Sequence, residues 1–222
     1  MNALFITGTD TSVGKTVVAG MTARCLIDKG YSVATQKWVE TGVSRAGRDI
    51  DTRLTPYSFK RAASPHLASR LEGKTISTAK INRSFKTLIR NFDFVVIEGT
   101  GGLLVPLNRK VLLIDVVRKL GLSVLAVAEN KLGAINHTLL TIEALQSRDI
   151  PVLGIIFNEP RKDIKRDGLV LKDNPLVVGK FSGVQVLGSL PHASDLNSLY
   201  KYFKPIGERI WARLDKVGSG RI

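Results

Sequence analysis

The segment Gly8-Thr9-Asp10-Thr11-Ser12-Val13-Gly14-Lys15-Thr16 follows an apolar run, Ala3 to Ile6, and opens a helical stretch. Residues of these types in this order can cradle a triphosphate. Backbone N–H groups of a glycine-containing loop and the positive end of the following helix take phosphate oxygens, Lys15 adds a point charge, and the Thr16 hydroxyl can hold Mg²⁺. Gly8 and Gly14 enclose five residues, where the common pattern has four, and Thr9 stands where its first glycine would be. The segment is therefore a variant phosphate-binding loop, or P-loop.

Two further charged positions close apolar runs. Lys37, in Gln36-Lys37-Trp38-Val39-Glu40-Thr41-Gly42, would face the loop with an ammonium group. Glu98, in Val95-Val96-Ile97-Glu98-Gly99-Thr100-Gly101-Gly102, places a carboxylate just before glycines that let backbone approach a ligand, and it is the candidate metal ligand. Asp49 and Asp51, in Arg48-Asp49-Ile50-Asp51, offer a second carboxylate, although either taken alone is an ordinary loop acid.

The elements that must carry these residues alternate. Apolar runs at Ala3–Thr7, Ser32–Gln36, Phe92–Glu98, Ser123–Ala128, Val152–Asn158 and Val184–Leu187 read as strands. Helical patterns cover Gly14–Lys29, Ser84–Asn91, Leu112–Leu120, Ile135–Arg148 and Leu196–Leu214. Thr41–Thr55 and Glu159–Lys180 read as long irregular connections, and the residues after Leu214 as a frayed tail. This alternation predicts an α/β fold, a doubly wound, mainly parallel sheet flanked by helices, of the P-loop NTPase type. In such sheets ligands gather beyond the carboxyl ends of the strands, where Lys37 and Glu98 sit.

At 222 residues and 44% apolar content, the chain suits one domain spanning residues 1–222. No stretch approaches the about 18 consecutive apolar residues of a membrane span, and no signal-peptide pattern opens the chain, so a cytoplasmic protein is expected. Cys25 falls in the apolar pattern of the first helix and reads as a small core residue. Lysine and arginine number 33 against 19 acids, a formal charge of +14. The basic residues are dispersed, and the one dense run, Arg161-Lys162-Asp163-Ile164-Lys165-Arg166, has no interleaved aromatics for base stacking. Neither a specific nucleic-acid partner nor a membrane is expected; the surface is read as solvated and basic.

The segments GTDTSVGKT, KWVETG, EGTGG and LGAINH together resemble dethiobiotin synthetase, whose members show GTDTxVGKT, a KPVxTG-like strand end, EGxGG and LGxINH at comparable intervals. The resemblance runs from Ala3 to about Asp195. Trp38 departs from it, standing where the family has proline. It implies ATP-dependent ring closure, in which 7,8-diaminopelargonate (7,8-diaminononanoate), CO₂ and ATP give dethiobiotin, ADP and phosphate. It assigns ATP to Gly8, Asp10, Ser12, Val13, Gly14, Lys15 and Thr16. Mg²⁺ falls to Thr16, Glu98 and, of the two loop acids, Asp51. Thr11, Lys37 and Thr41 match positions that meet the diamine or its carbamate, with Lys37, Lys15 and Thr11 as the catalytic set.

Leu132-Gly133-Ala134-Ile135-Asn136-His137 opens a helix whose free N–H groups would attract a carboxylate. The resemblance gives this helix start, with Gly133 and Asn136, to the neighbouring subunit's site, and so implies a homodimer. Asn158 matches an adenine-contacting asparagine, and Pro191 lies in Gly188-Ser189-Leu190-Pro191-His192, the turn lining the adenine pocket. His66, His137 and His192 read as structural. The rival reading is a partitioning or positioning ATPase of the ParA/MinD type. Those proteins carry a signature lysine five residues before the P-loop lysine, and that position is Asp10 here.

Overall fold

The computed structural model describes residues 2–43, 54–160 and 167–219. The first strand, β1 (Ala3–Gly8), alternates its side chains between the two sides of the sheet, Leu4 and Ile6 on one, Ala3 and Phe5 on the other, all buried. Helix α1 (Lys15–Ile27) follows, then β2 (Val33–Lys37), the short strands β3 (Val39–Thr41) and β4 (Tyr57–Phe59), α2 (Pro65–Leu71) and α3 (Thr78–Asn91). The second half runs β5 (Phe94–Glu98), α4 (Leu113–Lys119), β6 (Ser123–Glu129), α5 (Ala134–Gln146), β7 (Val152–Asn158), α6 (Gly168–Ser182), β8 (Val186–Leu190) and α7 (Leu196–Ser219).

Six strands form one sheet in the order β2-β5-β1-β6-β7-β8, every pairing parallel, and β3 pairs with β4 beside it. Residues buried on both faces explain the consecutive apolar runs. On one face α1 and α7 pack over Leu4, Ile6, Val96, Val127 and Ile156. On the other, residues of α2 to α6 cover Phe5, Val95, Ile97, Ala126 and Phe157. Helix α7 is held to α1 by Tyr200, whose hydroxyl donates to Asp28 at 2.6 Å, and by Arg24 over the Tyr200 ring. Cys25 is buried against Gly207 of α7, and burial pushes its thiol pKa up, which fits a small core residue.

Three stretches differ from the sequence-based expectation. The helix expected at Ser84–Asn91 begins at Thr78, and the short elements β3, β4 and α2 were not anticipated. The connection expected over Glu159–Lys180 contains α6, capped by Asp167, whose carboxylate accepts from the Leu169 N–H at 2.8 Å. Pro175 inside that helix hides it from a reading of the sequence. A proline there supplies no N–H to the carbonyl four residues back, Leu171. Asn130, just beyond β6, donates its Nδ2 to that oxygen at 2.9 Å and repairs the gap. The basic run Arg161–Arg166 and most of the Thr41–Thr55 connection lie outside the described residues.

Candidate phosphate-binding site

The loop between β1 and α1 lies at the carboxyl edge of the sheet, tied to it by the Thr9 N–H donating to the Val127 carbonyl at 3.0 Å. Helix α1 starts at a left-handed Gly14 (φ 101°), with no side-chain cap and no acid in its first turn. Its first N–H groups therefore remain available to an anion. A Cβ on Gly14 would lie 2.1 Å from Asn158 Nδ2, and one on Gly8 would lie 2.8 Å from Lys15 Nζ. Both glycines are thus required by close approach, and Gly14 by its conformation as well. Ser12 is exposed and also left-handed, with φ 58°.

Lys15 is buried, and its Nζ donates to the Asp10 carbonyl at 2.7 Å. Burial lowers its pKa to about 8 against the opposing attraction of Glu98, and a phosphate placed here would favour the charged form that burial penalises. The β2–β5 register pairs Lys37 with Glu98, and their charged ends meet at 3.1 Å. Glu98 Oε1 also accepts the Thr16 hydroxyl at 2.7 Å. One carboxylate oxygen thus joins the P-loop threonine to the strand-end lysine.

A cavity of about 510 Å³ is lined by Thr11, Ser12, Gly14, Lys15, Thr16, Lys37, Thr41 and Glu98, eight of the residues singled out from sequence. Thr100 and Pro160 line it too, and sequence reading missed both. Thr100 lies inside the EGTGG segment, and its hydroxyl donates to the Val39 carbonyl, tying β3 to the turn after β5. Pro160 stands two residues after Asn158, so its signal was proximity to a strand end.

Other expected residues lie elsewhere. Asp10 faces a second cavity of about 330 Å³, shared with Leu104, His137 and Leu140. Val13 is buried and carries its backbone into the loop. Pro191 follows β8, while Gly133 (φ 85°) caps α5 and Asn136 is exposed on its first turn; none of the three lines the P-loop cavity of its own chain. Asp49 and Asp51 lie outside the described residues. Among those described, no three His, Cys, Asp or Glu side chains cluster as a metal site.

Asn158 is buried, and its Nδ2 donates to the Val13 carbonyl at 2.9 Å, so one amide proton already holds the P-loop. Asn158→Ala is expected to weaken nucleotide binding about tenfold, the worth of roughly one hydrogen bond to a buried group. Isothermal titration separates two contributions. Tripolyphosphate, which has no base, should weaken if the clamp on Val13 matters, whereas a reduced preference for ATP over GTP would report contact with adenine. Unchanged affinity for all three would remove Asn158 from the site.

A family profile described as an AAA domain matches residues 2–199. The ATP-dependent dethiobiotin synthetase BioD of Thermodesulfovibrio yellowstonii is 38% identical over 219 residues, covering 87% of this chain and 90% of the relative. The enzyme of the same name from Bacillus subtilis is 34% identical, covering 88% and 90%. That from Chlorobaculum tepidum is 42% identical over 70% of this chain and 72% of its own length. Among solved structures, a putative plasmid partition protein from Borrelia burgdorferi bound to AMPPNP superposes with a TM-score of 0.63 at 15% identity, covering 96% of this chain and 98% of that one. The cell division ATPase MinD of Pyrococcus furiosus gives 0.59 at 14%, covering 98% and 100%. At such identities these two structures share the fold alone.

Proposed function

The chain belongs to the dethiobiotin synthetase family, and from that premise we propose that the cavity between the P-loop, Lys37 and Glu98 closes the ureido ring. The chain is an ATP-dependent ligase: 7,8-diaminopelargonate, CO₂ and ATP become dethiobiotin, ADP and phosphate. The observation that carries the site assignment is the convergence of two ammonium groups, Lys15 and Lys37, with the Thr16–Glu98 pair on one cavity.

The chemistry needs charge management rather than a protein nucleophile. One amine of the substrate adds to CO₂ and becomes a carbamate; a carbamate oxygen takes the γ-phosphoryl group from ATP; the second amine attacks that mixed anhydride and phosphate departs. Lys15 stabilises the phosphoryl oxygens. Lys37, across the cavity, meets the carbamate and the transferring group, so both lysines act where negative charge develops. Thr11 and Thr41 orient the diamine through their hydroxyls. Gly8, Asp10, Ser12, Val13 and Gly14 shape the loop around the phosphates, with Asn158 and Pro191 at the adenine end.

Mg²⁺ suits the donors present: the Thr16 hydroxyl and Glu98 carboxylate are hard oxygens already 2.7 Å apart, too few to hold a metal without phosphate oxygens. Asp51 is the proposed third donor. It precedes Leu54, whose carbonyl accepts the Lys37 N–H at 2.9 Å and whose side chain lines a cavity with Thr16 and Glu98. When bound, Mg²⁺ supplies charge neutralisation at the phosphate oxygens.

A homodimer in the cytoplasm, one P-loop domain per chain, completes the proposal. Beside the second cavity Leu104 and Leu140 are 53% and 56% exposed, and Leu132, next to Gly133, is 87% exposed. Exposed apolar side chains such as Leu104 and Leu140, lining an otherwise open cavity, are suited to burial by a second copy. Leu140→Asp should convert the dimer to monomer in analytical ultracentrifugation and remove turnover with it. A wild-type chain that sediments as a monomer at micromolar concentration while remaining active would refute the shared site. No helix among the described residues is long and apolar enough to cross a membrane.

The reaction itself is tested by measuring phosphate release from Mg·ATP with and without diaminopelargonate and bicarbonate, with mass detection of dethiobiotin. Turnover should require every component. Hydrolysis indifferent to the diamine would remove the ring-closing role from this cavity.

A further inference from the structure

A third cavity, of about 590 Å³, opens between the end of α2 and the loop following Leu107, and it shares no lining residue with the P-loop cavity. Among the described residues its walls include His66, Arg70, Lys74, Asn108, Arg109 and Lys110, and no carboxylate. Crowded like charges repel, and the nearest acid in sequence does little to offset them. Glu72 accepts from the Lys60 N–H at 2.7 Å and from Lys74 Nζ at 3.1 Å, which satisfies Lys74 alone. Arg70, Arg109 and Lys110 form no ion pair with any described carboxylate. His66 Nδ1 is buried without a hydrogen-bond partner among the described residues, an uncommon condition for a buried polar atom.

The frame that presents these groups is hydrogen-bonded. The His66 N–H donates to the Pro106 carbonyl at 3.2 Å, and Asn108 Nδ2 to the Ile76 carbonyl at 2.9 Å. Asn108 Oδ1 accepts the N–H groups of Lys110 and Val111, folding the loop into a turn that carries Arg109 and Lys110 on its tip. A lone solvated lysine needs no such support.

We propose that this cavity binds a compact, multiply phosphorylated small molecule. The guanidinium groups of Arg70 and Arg109 grip phosphate oxygens in two-pronged fashion, and Lys110 adds a point charge. The volume lies in the range of small-molecule sites and exceeds what a single carboxylate or phosphate fills. Among the described residues no Phe, Tyr or Trp lines the cavity, which argues against single-stranded nucleic acid, whose bases need stacking platforms.

The probe is fructose 1,6-bisphosphate, titrated calorimetrically into the full chain with the P-loop saturated by Mg·ADP at about physiological salt. One bisphosphate per chain should bind. In the double variant Arg70→Gln/Arg109→Gln affinity should fall at least about tenfold, because both charge-assisted pairs are lost. Arg83→Gln/Lys86→Gln on α3 removes the same charge from exposed positions outside the cavity and should leave binding within about twofold. Lys110→Gln, on the loop tip, should weaken binding several-fold and serves if the double variant fails to fold. Absence of binding to the wild type, equal weakening in the α3 control, or binding of a short single-stranded oligonucleotide but not of the bisphosphate would each overturn the proposal.

Discussion

Lys37→Ala is expected to lower turnover by about 10²–10³ or more while leaving the fold in place, since a donor aimed at developing charge in a water-poor site is commonly worth that much. Its ammonium is held 3.1 Å from Glu98 in the wall of the P-loop cavity, positioned by the β2–β5 register. The side chain is 27% exposed, so loss of the ion pair itself should cost little stability, on the order of 1 kcal/mol or less. Glu98 keeps the Thr16 hydroxyl as partner. Mg·ATP binding should weaken far less than turnover, because Lys15 and the loop N–H groups remain. Dethiobiotin formation followed by mass detection, beside calorimetric ATP affinity, makes the check. Turnover within tenfold of wild type would take Lys37 out of the chemistry.

The largest expected effect on stability comes from its neighbour. Trp38 is 1% exposed, its ring lies against Phe5 with centroids 5.1 Å apart, and its indole N–H donates to Gln36 Oε1 at 2.9 Å. Gln36 in turn donates to Ser84 of α3 at 2.9 Å. Trp38→Ala should therefore cost about 3–5 kcal/mol through the cavity it leaves and the amide oxygen it deprives of a donor. Trp38→Phe should cost less, since most of the volume survives. Urea denaturation of both variants provides the measurement, and a loss below about 1.5 kcal/mol for alanine would mean that the surroundings collapse into the space. Tryptophan in place of the family's proline thus belongs to the core beneath Lys37.

What was legible in the sequence was local. Apolar runs and helical spacing placed the six strands of the main sheet, because strands covered on both faces must be apolar and their period does not depend on distant residues. The short elements escaped: α2 has seven residues and β3 and β4 three each, too few for a period to register. Helix α6 escaped because Pro175 is a local stop signal, and only Asn130, 41 positions from Leu171, removes its cost.

The site divides in the same way. Gly8, Gly14, Lys15 and Thr16 were readable because a phosphate loop is contiguous, its geometry set by residues a few bonds apart. That Lys37 meets Glu98, that Thr16 shares the same carboxylate oxygen, and that Asn158 clamps Val13 across 145 positions were decided by strand order and register alone. The sequence by itself determined the loop chemistry and the kind of sheet, since both follow from neighbouring residue types. Tertiary structure alone decided which charges face one another, because contacts between distant segments depend on loop closure and on packing over both faces of the sheet.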